Sequence, residues 1–328
     1  MKILFFGAGV INTLYAWALT GAGNDVSMYV RSGKEKDWAN GIQLDIISER
    51  FKKKIYVREI FAPKVVTAFK PEDGYDLIIE SVKHYQTREI LPLIAQNMGD
   101  ALVLFFNNSW DSLDFINEYL PRSRYVLGMP RAGGAIENGV LDGAITDNVV
   151  LGDSTCGKPE SADVKQIAKA NLDKVVSMFE SAGIKAAIQA NMEQWYWAHL
   201  ASTVPWISGG AKARGFLPFA KNSQAISEAL EAGKECLEIL KARGVDVTQI
   251  QDLQMFLGPV WFSTFMTKIF IGAEVAVKIS SGHGAYAPAE LQKIYADVVN
   301  TGKQLGVPTP KLDAFKPYID EMNAIIKK

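Results

Sequence analysis

Near its start the chain carries a turn of the kind that holds a phosphate. Residues 5–17 read FFGAGVINTLYAW, an apolar run followed by Gly7, Gly9 and then Asn12 where a dinucleotide-binding fingerprint has its third glycine. Gly7 allows the sharp turn out of the strand. Gly9 lets the next helix bring the free N–H groups of Val10, Ile11 and Asn12 close to a pyrophosphate, which the helix terminus attracts. The third glycine serves close packing of helix on strand, a steric role that a modest side chain can fill. Asn12 therefore weakens the fingerprint without removing it, because the turn still stands after a strand and before a helix.

Further along, polar residues stand where strands end. The second strand, DVSMYV (25–30), runs into RSGKEK, where Arg31, with Lys34 and Ser32, offers donors for a 2′-phosphate instead of the acid an NAD site places on the ribose. NADP is the expected cofactor, a solvated basic turn the other reading. Lys83 closes IIESVK and Asn108 follows VLFF; each can contact substrate or nicotinamide ribose, or be an ordinary surface lysine and a turn asparagine. In EQWYWAHLASTVPW, Trp195, His199, Ser202, Thr203 and Trp206 recur at three- and four-residue spacing, so one helix face carries a histidine and hydroxyls. His199 can protonate a developing alkoxide, or it can sit satisfied in an aromatic core. Arg131 in MPRAGGAIENG can clamp a carboxylate or be a loop arginine; GHGAYAP (282–288), with His283, is a lid or a plain connector. His84 reads as a surface or turn residue.

The elements that must position these groups fall into two classes. KILFF, DVSMYV, YDLIIESV, ALVLFF and RYVLGM read as strands, with helices at 10–19 and 86–95 between them; AITDNVVLG (144–152) and IKAAIQ (184–189) flank a helix within 160–182. This is the pattern of a parallel sheet with helices on both faces. From Asn191 onward only helical patterns remain, at 191–208, 222–243, within 250–279, 288–305 and 311–327. The expected architecture is α/β: a Rossmann-type doubly wound domain over 1–190 and an all-helical substrate and dimerisation domain over 191–328, with a cleft between them as the default site.

Composition narrows the function classes. Thirty-five basic residues balance 36 acidic ones, which gives no footprint for nucleic acid or anionic lipid. Cys156 and Cys236, the two cysteines, match no metal-ligand spacing and point to a reducing compartment. The expectation is a cytoplasmic protein with no export signal, no metal and no membrane partner. The apolar 256–279 stretch carries Pro259, Lys268, Glu274 and Lys278, so it reads as a buried or interface helix that allows self-association into a homodimer.

Taken together, these residues resemble the ketopantoate reductase family (2-dehydropantoate 2-reductases). GAGVIN, Arg31, SVKHYQT around Lys83, FFNNS around Asn108, the EQWYWAHLA helix and the late APAELQKIYADVVNTGKQLGVPTP segment carry the resemblance. It implies NADPH-dependent reduction of a small 2-oxo acid to the 2-hydroxy acid, with 2-dehydropantoate to pantoate the first reading. Lys83 and Asn108 would face cofactor and substrate, and Glu290 would match the family's late glutamate. The sequence departs from the family at three positions: the catalytic lysine is His199, the asparagine one turn on is Thr203, and the asparagine after the late glutamate is Tyr295. The family's serine has three candidates, Ser263, Ser280 and Ser281. The expected catalytic groups are His199 and Lys83, with Asn108, Thr203 and Glu290 on the substrate. Two alternatives stand beside this, a reductase for a different oxo acid and a noncatalytic NADP-binding sensor.

Overall fold

The computed structural model describes residues 1–83, 86–271, 273–279 and 288–322. They form two compact units, Met1–Glu193 and Gln194–Lys328. The division falls within a helix, a few residues beyond the expected 190/191.

In the first unit, short runs apolar on both faces build an eight-stranded sheet. Its strands are β1 (Lys2–Phe6), β2 (Asp25–Tyr29), β5 (Lys64–Val66), β6 (Leu77–Glu80), β7 (Leu102–Phe106), β8 (Tyr125–Met129), β11 (Asn148–Asp153) and β12 (Lys185–Ile188), in the order β12-β11-β8-β7-β6-β1-β2-β5. All neighbours are parallel except β11 with β8. The order reverses between β1 and β6, and that switch point is where an open α/β sheet opens a crevice for a ligand. Helices α1 (Val10–Gly21), α2 (Thr87–Asn97) and α3 (Ala162–Ser181) complete the layers. Tyr15 of α1 is fully buried; its ring meets Phe106 and Phe179 edge-on at 4.9 and 5.7 Å, and its hydroxyl accepts the Arg131 N–H at 3.0 Å.

One expectation is corrected here. Instead of helices alone covering the sheet, a second, four-stranded sheet is present: β3 (Ile42–Ser48), β4 (Ile55–Phe61), β9 (Ala132–Glu137) and β10 (Val140–Ile145), ordered β4-β3-β10-β9 and packed by β9 and β10 on α1. The stretch read as one strand at 144–152 is the end of β10, a turn and β11. In β3, Ile42, Leu44 and Ile46 are buried while Gln43 and Asp45 are half-exposed, the period-two pattern of a sheet with one solvated face.

The second unit is helical: α4 (Met192–Lys212), which starts in the first unit, then α5 (Phe216–Lys221), α6 (Ser223–Ala242), α7 (Gln254–Leu257), α8 (Val260–Ile271), α9 (Pro288–Gln304) and α10 (Pro310–Asp320). Helix α6 is the hub, touching α5, α7, α8, α9 and α10. Helix α8 is turned inside out, with Trp261 75%, Phe265 61% and Ile269 56% exposed while Ser263 and Thr267 are buried. Among the described residues no helix is long and apolar enough to cross a membrane, and no cluster of His, Cys, Asp and Glu is arranged to hold a metal. Both cysteines are buried free thiols.

Candidate functional site

The turn after β1 has the features of a nucleotide cradle. Gly7 takes a φ of +100°, which an L side chain rarely adopts, and its N–H donates to the Tyr29 carbonyl at 3.0 Å. Gly9 caps α1 in extended geometry with no side-chain hydrogen bond, and the first turn at Val10, Ile11 and Asn12 holds no acid. The helix terminus therefore offers its free N–H groups and positive end to an anion. A Cβ at Gly9 would meet no atom within 4 Å, so the chain's own packing does not require glycine there; the close approach of a ligand would.

Asn12 does more than fill the third-glycine position. It is 1% exposed; its Nδ2 donates to the carbonyls of Phe6 (2.9 Å) and Gly7 (3.0 Å), and its Oδ1 accepts the Ser81 hydroxyl at 2.8 Å. One amide thus pins the turn and joins it across the switch point to the segment that follows β6. Sequence reasoning treated the position as steric and missed this polar role; the pair of Asn12, in the first turn of α1, and Ser81, just beyond β6, was the available signal.

At the end of β2, Arg31 is exposed and engages no side chain among the described residues. Lys34 lies 3.2 Å from Asp37 in an exposed pair of the kind worth ~0–1 kcal/mol, which leaves it able to exchange partners. Lys83 is exposed two residues beyond Ser81.

Beneath this edge lies an acid that the sequence reading passed over. Glu80 ends β6 in register with Phe6 and Phe105 and is fully buried. It accepts the Val82 N–H at 3.0 Å and the Asn107 Nδ2 at 2.5 Å, while that Nδ2 also reaches the Thr87 hydroxyl at 2.7 Å. Burial raises the Glu80 carboxyl to about 8, against the lowering effect of the Val82 and Thr87 bonds. The loop after β7 is thereby held at its start through Asn107. Glu193 holds it farther on, accepting the Leu113 N–H at 2.9 Å and the Ser112 hydroxyl at 3.1 Å beside the Lys158 ammonium at 3.3 Å. Asn108, between these anchors, is half-buried with no side-chain partner among the described residues. A lone glutamate ending the apolar run LIIE was the signal for Glu80. The backbone of Arg131 is tied into the fold through Tyr15 and Thr146.

In the second unit, His199 is 18% exposed and stacks on Trp195 with centroids 5.1 Å apart and planes 9° apart. Trp206, expected on the same face, instead packs with Phe219 and Phe256. The Ser202 and Thr203 hydroxyls each donate at 2.7 Å to the carbonyl three residues back, those of His199 and Leu200. Glu290 is half-buried in the first turn of α9. Tyr295 is a core residue whose hydroxyl donates to the Leu312 carbonyl at 2.8 Å. Ser263 is buried; His84, Ser280, Ser281 and His283, with most of the GHGAYAP segment, lie outside the described residues.

Residues 3–154 match the family model of ketopantoate reductase PanE/ApbA, so the resemblance read from the sequence is borne out for that domain. The chain is 26% identical over 199 residues to the 2-dehydropantoate 2-reductase of Pyrococcus abyssi (strain GE5 / Orsay), a match spanning 60% of this chain and 59% of that protein. Two solved structures are similar in fold. The 2-dehydropantoate 2-reductase of Geobacter metallireducens GS-15 is 16% identical with a TM-score of 0.68, over 98% of this chain and 99% of that one. A D-mandelate dehydrogenase with NADH and anilino(oxo)acetate is 17% identical with a TM-score of 0.69, over 100% of this chain and 99% of that one.

Two measurements test this geometry. Asn12→Gly completes the glycine fingerprint but strips three hydrogen bonds from a buried turn, so it should destabilise the protein by ~1–3 kcal/mol in urea unfolding; a variant as stable as the parent refutes the clamp. Because the Glu80 carboxyl sits at about 8 when folded against 4.5 ordinarily, the folded protein keeps a proton that the unfolded chain releases between those values. Its contribution to stability is full below the lower value and is lost as pH rises through the upper one. The melting temperature of the parent relative to Glu80→Gln should therefore fall steadily from about pH 5 to about pH 9, and a flat difference contradicts the buried acid.

Proposed function

Because residues 3–154 match the family model of ketopantoate reductase PanE/ApbA, we propose that the protein is an NADPH-dependent reductase that turns a small 2-oxo acid into its 2-hydroxy acid. The observation that carries this reading is the cradle itself: an uncapped, acid-free first turn of α1 behind a positive-φ glycine, with open space at Gly9. Behind the turn made by Gly7, Gly9 would let the pyrophosphate come close to the backbone amides of Val10, Ile11 and Asn12, and Arg31 would hold the 2′-phosphate through its guanidinium. When bound, the cofactor supplies the hydride that reduces carbon 2. The chain's part is to orient the acid and deliver a proton to the oxygen that gains charge. Lys83 and His199 are the two proton donors to weigh, with Asn108, Thr203 and Glu290 as substrate contacts.

2-Dehydropantoate is the first substrate to test. A different oxo acid is the second reading, favoured by three observations: His199 replaces the family's lysine, Thr203 binds its own helix, and Tyr295 is locked in the core. The outward-facing aromatics of α8 further support self-association as a homodimer, since large apolar patches on soluble proteins mark contact surfaces.

A panel of 2-oxo acids run with NADPH and with NADH tests substrate class and cofactor together. Steady oxidation of NADPH by at least one acid is expected, and none with either coenzyme overturns the reading. Arg31→Glu should weaken NADPH binding by about tenfold or more in calorimetry while changing NADH binding little, as expected for a charge-assisted contact worth ~1.5–3 kcal/mol. Trp261→Glu should shift the sedimentation equilibrium from dimer toward monomer; a parent protein monomeric at every concentration removes the dimer.

A further inference from the structure

Where the resembled family has a flexible lysine, α4 presents a histidine, and the structure gives that histidine two neighbours a lysine would not need. Trp195, one turn earlier, stacks on the imidazole and fixes its plane. Nδ1 is buried without a hydrogen-bond partner, and the Asp252 carboxylate stands 3.7 Å from it, the ring's one ion-pair partner among the described residues. The side chain is 18% exposed although Nδ1 is buried, so solvent reaches the side chain at atoms other than Nδ1. Asp252 lies in the 3-10 turn Gln251–Leu253, whose Leu253 is fully buried and anchors the turn.

A gap of 3.7 Å is too long for a direct hydrogen bond and within reach of an ion pair, and an approach of less than about 1 Å would bring it into hydrogen-bond range. Catalytic hydrogen bonds are often this loose before substrate arrives. Once closed, Nδ1–H donates to Asp252 in both charge states of the ring, and Nε2 becomes the nitrogen whose proton comes and goes. We propose that Asp252 is a positioning residue that fixes His199 in its Nδ1–H form, so that Nε2–H protonates the oxygen on carbon 2 of the 2-oxo acid; this rests on the reductase reading above. In that step hydride from the reduced nicotinamide forms the new C–H bond at carbon 2. The carbonyl π pair moves onto oxygen, the Nε2–H bond breaks as the O–H bond forms, and His199 is left neutral with its proton on Nδ1. Solvent then restores the Nε2 proton.

The chain's three histidines make the test direct, because side-chain ¹⁵N shifts report the tautomer of each ring. In the full-length protein without ligands, His199 should be the Nδ1–H tautomer wherever the shifts report a neutral ring. Asp252→Asn and Asp252→Ser should move it toward the Nε2–H form, whereas Asp252→Glu should keep it. With the best 2-oxo acid, Asp252→Asn should lower kcat about tenfold or more with KM changed by less than about twofold, and Asp252→Glu should recover most of the loss. In a His199→Lys background, where the donor needs no orienting, Asp252→Asn should cost less than about twofold. An unchanged tautomer in both carboxylate-free variants overturns the proposal, as does an equal cost in the two backgrounds. Failure to reduce any 2-oxo acid sinks the reductase reading instead, and the tautomer alone then decides whether Asp252 positions the ring.

Discussion

The first unit depends on three hydrogen bonds made by one buried amide. With both its nitrogen and its oxygen engaged, Asn12 fixes two carbonyls at the end of β1 and the hydroxyl of Ser81 beyond β6. These are the two chain segments that flank the point where strand order reverses. In a glycine fingerprint the turn is held by backbone conformation and close packing, so each half of the crevice keeps its own geometry. Here a polar side chain couples them, and the cradle's shape is set during folding. Preorganisation of this kind lowers the ordering cost of receiving a charged ligand.

The same edge is supported from below by Glu80, and the two arrangements divide the work. Asn12 orders the turn in front of α1, while Glu80, through Asn107 and Thr87, orders the exit of β7. Asn108 follows directly and is left without a side-chain partner among the described residues. Loop residues are thus held by partners at the ends of strands and helices, which is how a rigid scaffold lends them precision. In the second unit the same logic appears around His199, held by a stacked indole and faced by a carboxylate. A planar imidazole has less reach than a lysine ammonium and is more directional.

Much of this was legible in the sequence because the signals were local. Runs such as KILFF and LVLFF read as central strands since both faces are covered, and α1, α3, α4 and α6 read as helices from their periodicity. The second sheet was missed although Ile42, Leu44 and Ile46 alternate with Gln43 and Asp45, because β3 has its parallel partner in Val140–Ile145, far along the chain. The exit of α8's aromatics to solvent could not be read either: a run apolar all round looks the same whether its rings point in or out. At the site, the glycines and strand-end residues stood out by type and position. Glu80, Ser81 and Asp252 did not, since their importance comes from which distant residues they meet.

The pairing of β3 with β10 has a consequence for how the chain is made. The β3–β4 hairpin emerges early, but the inner edge of β3 faces Val140–Ile145, which is synthesised only after the strands through β8. Closing so long a loop is slow, and until it closes the nascent hairpin carries an unpaired backbone edge beside the apolar side chains of Ile55, Tyr56 and Ile60. Lys52, Lys53 and Lys54, in the connection between the two strands, set positive charge next to that edge, and like charges on neighbouring nascent chains repel. The basic turn thus keeps like charges beside the hairpin during the interval when half of the small sheet waits for its partner.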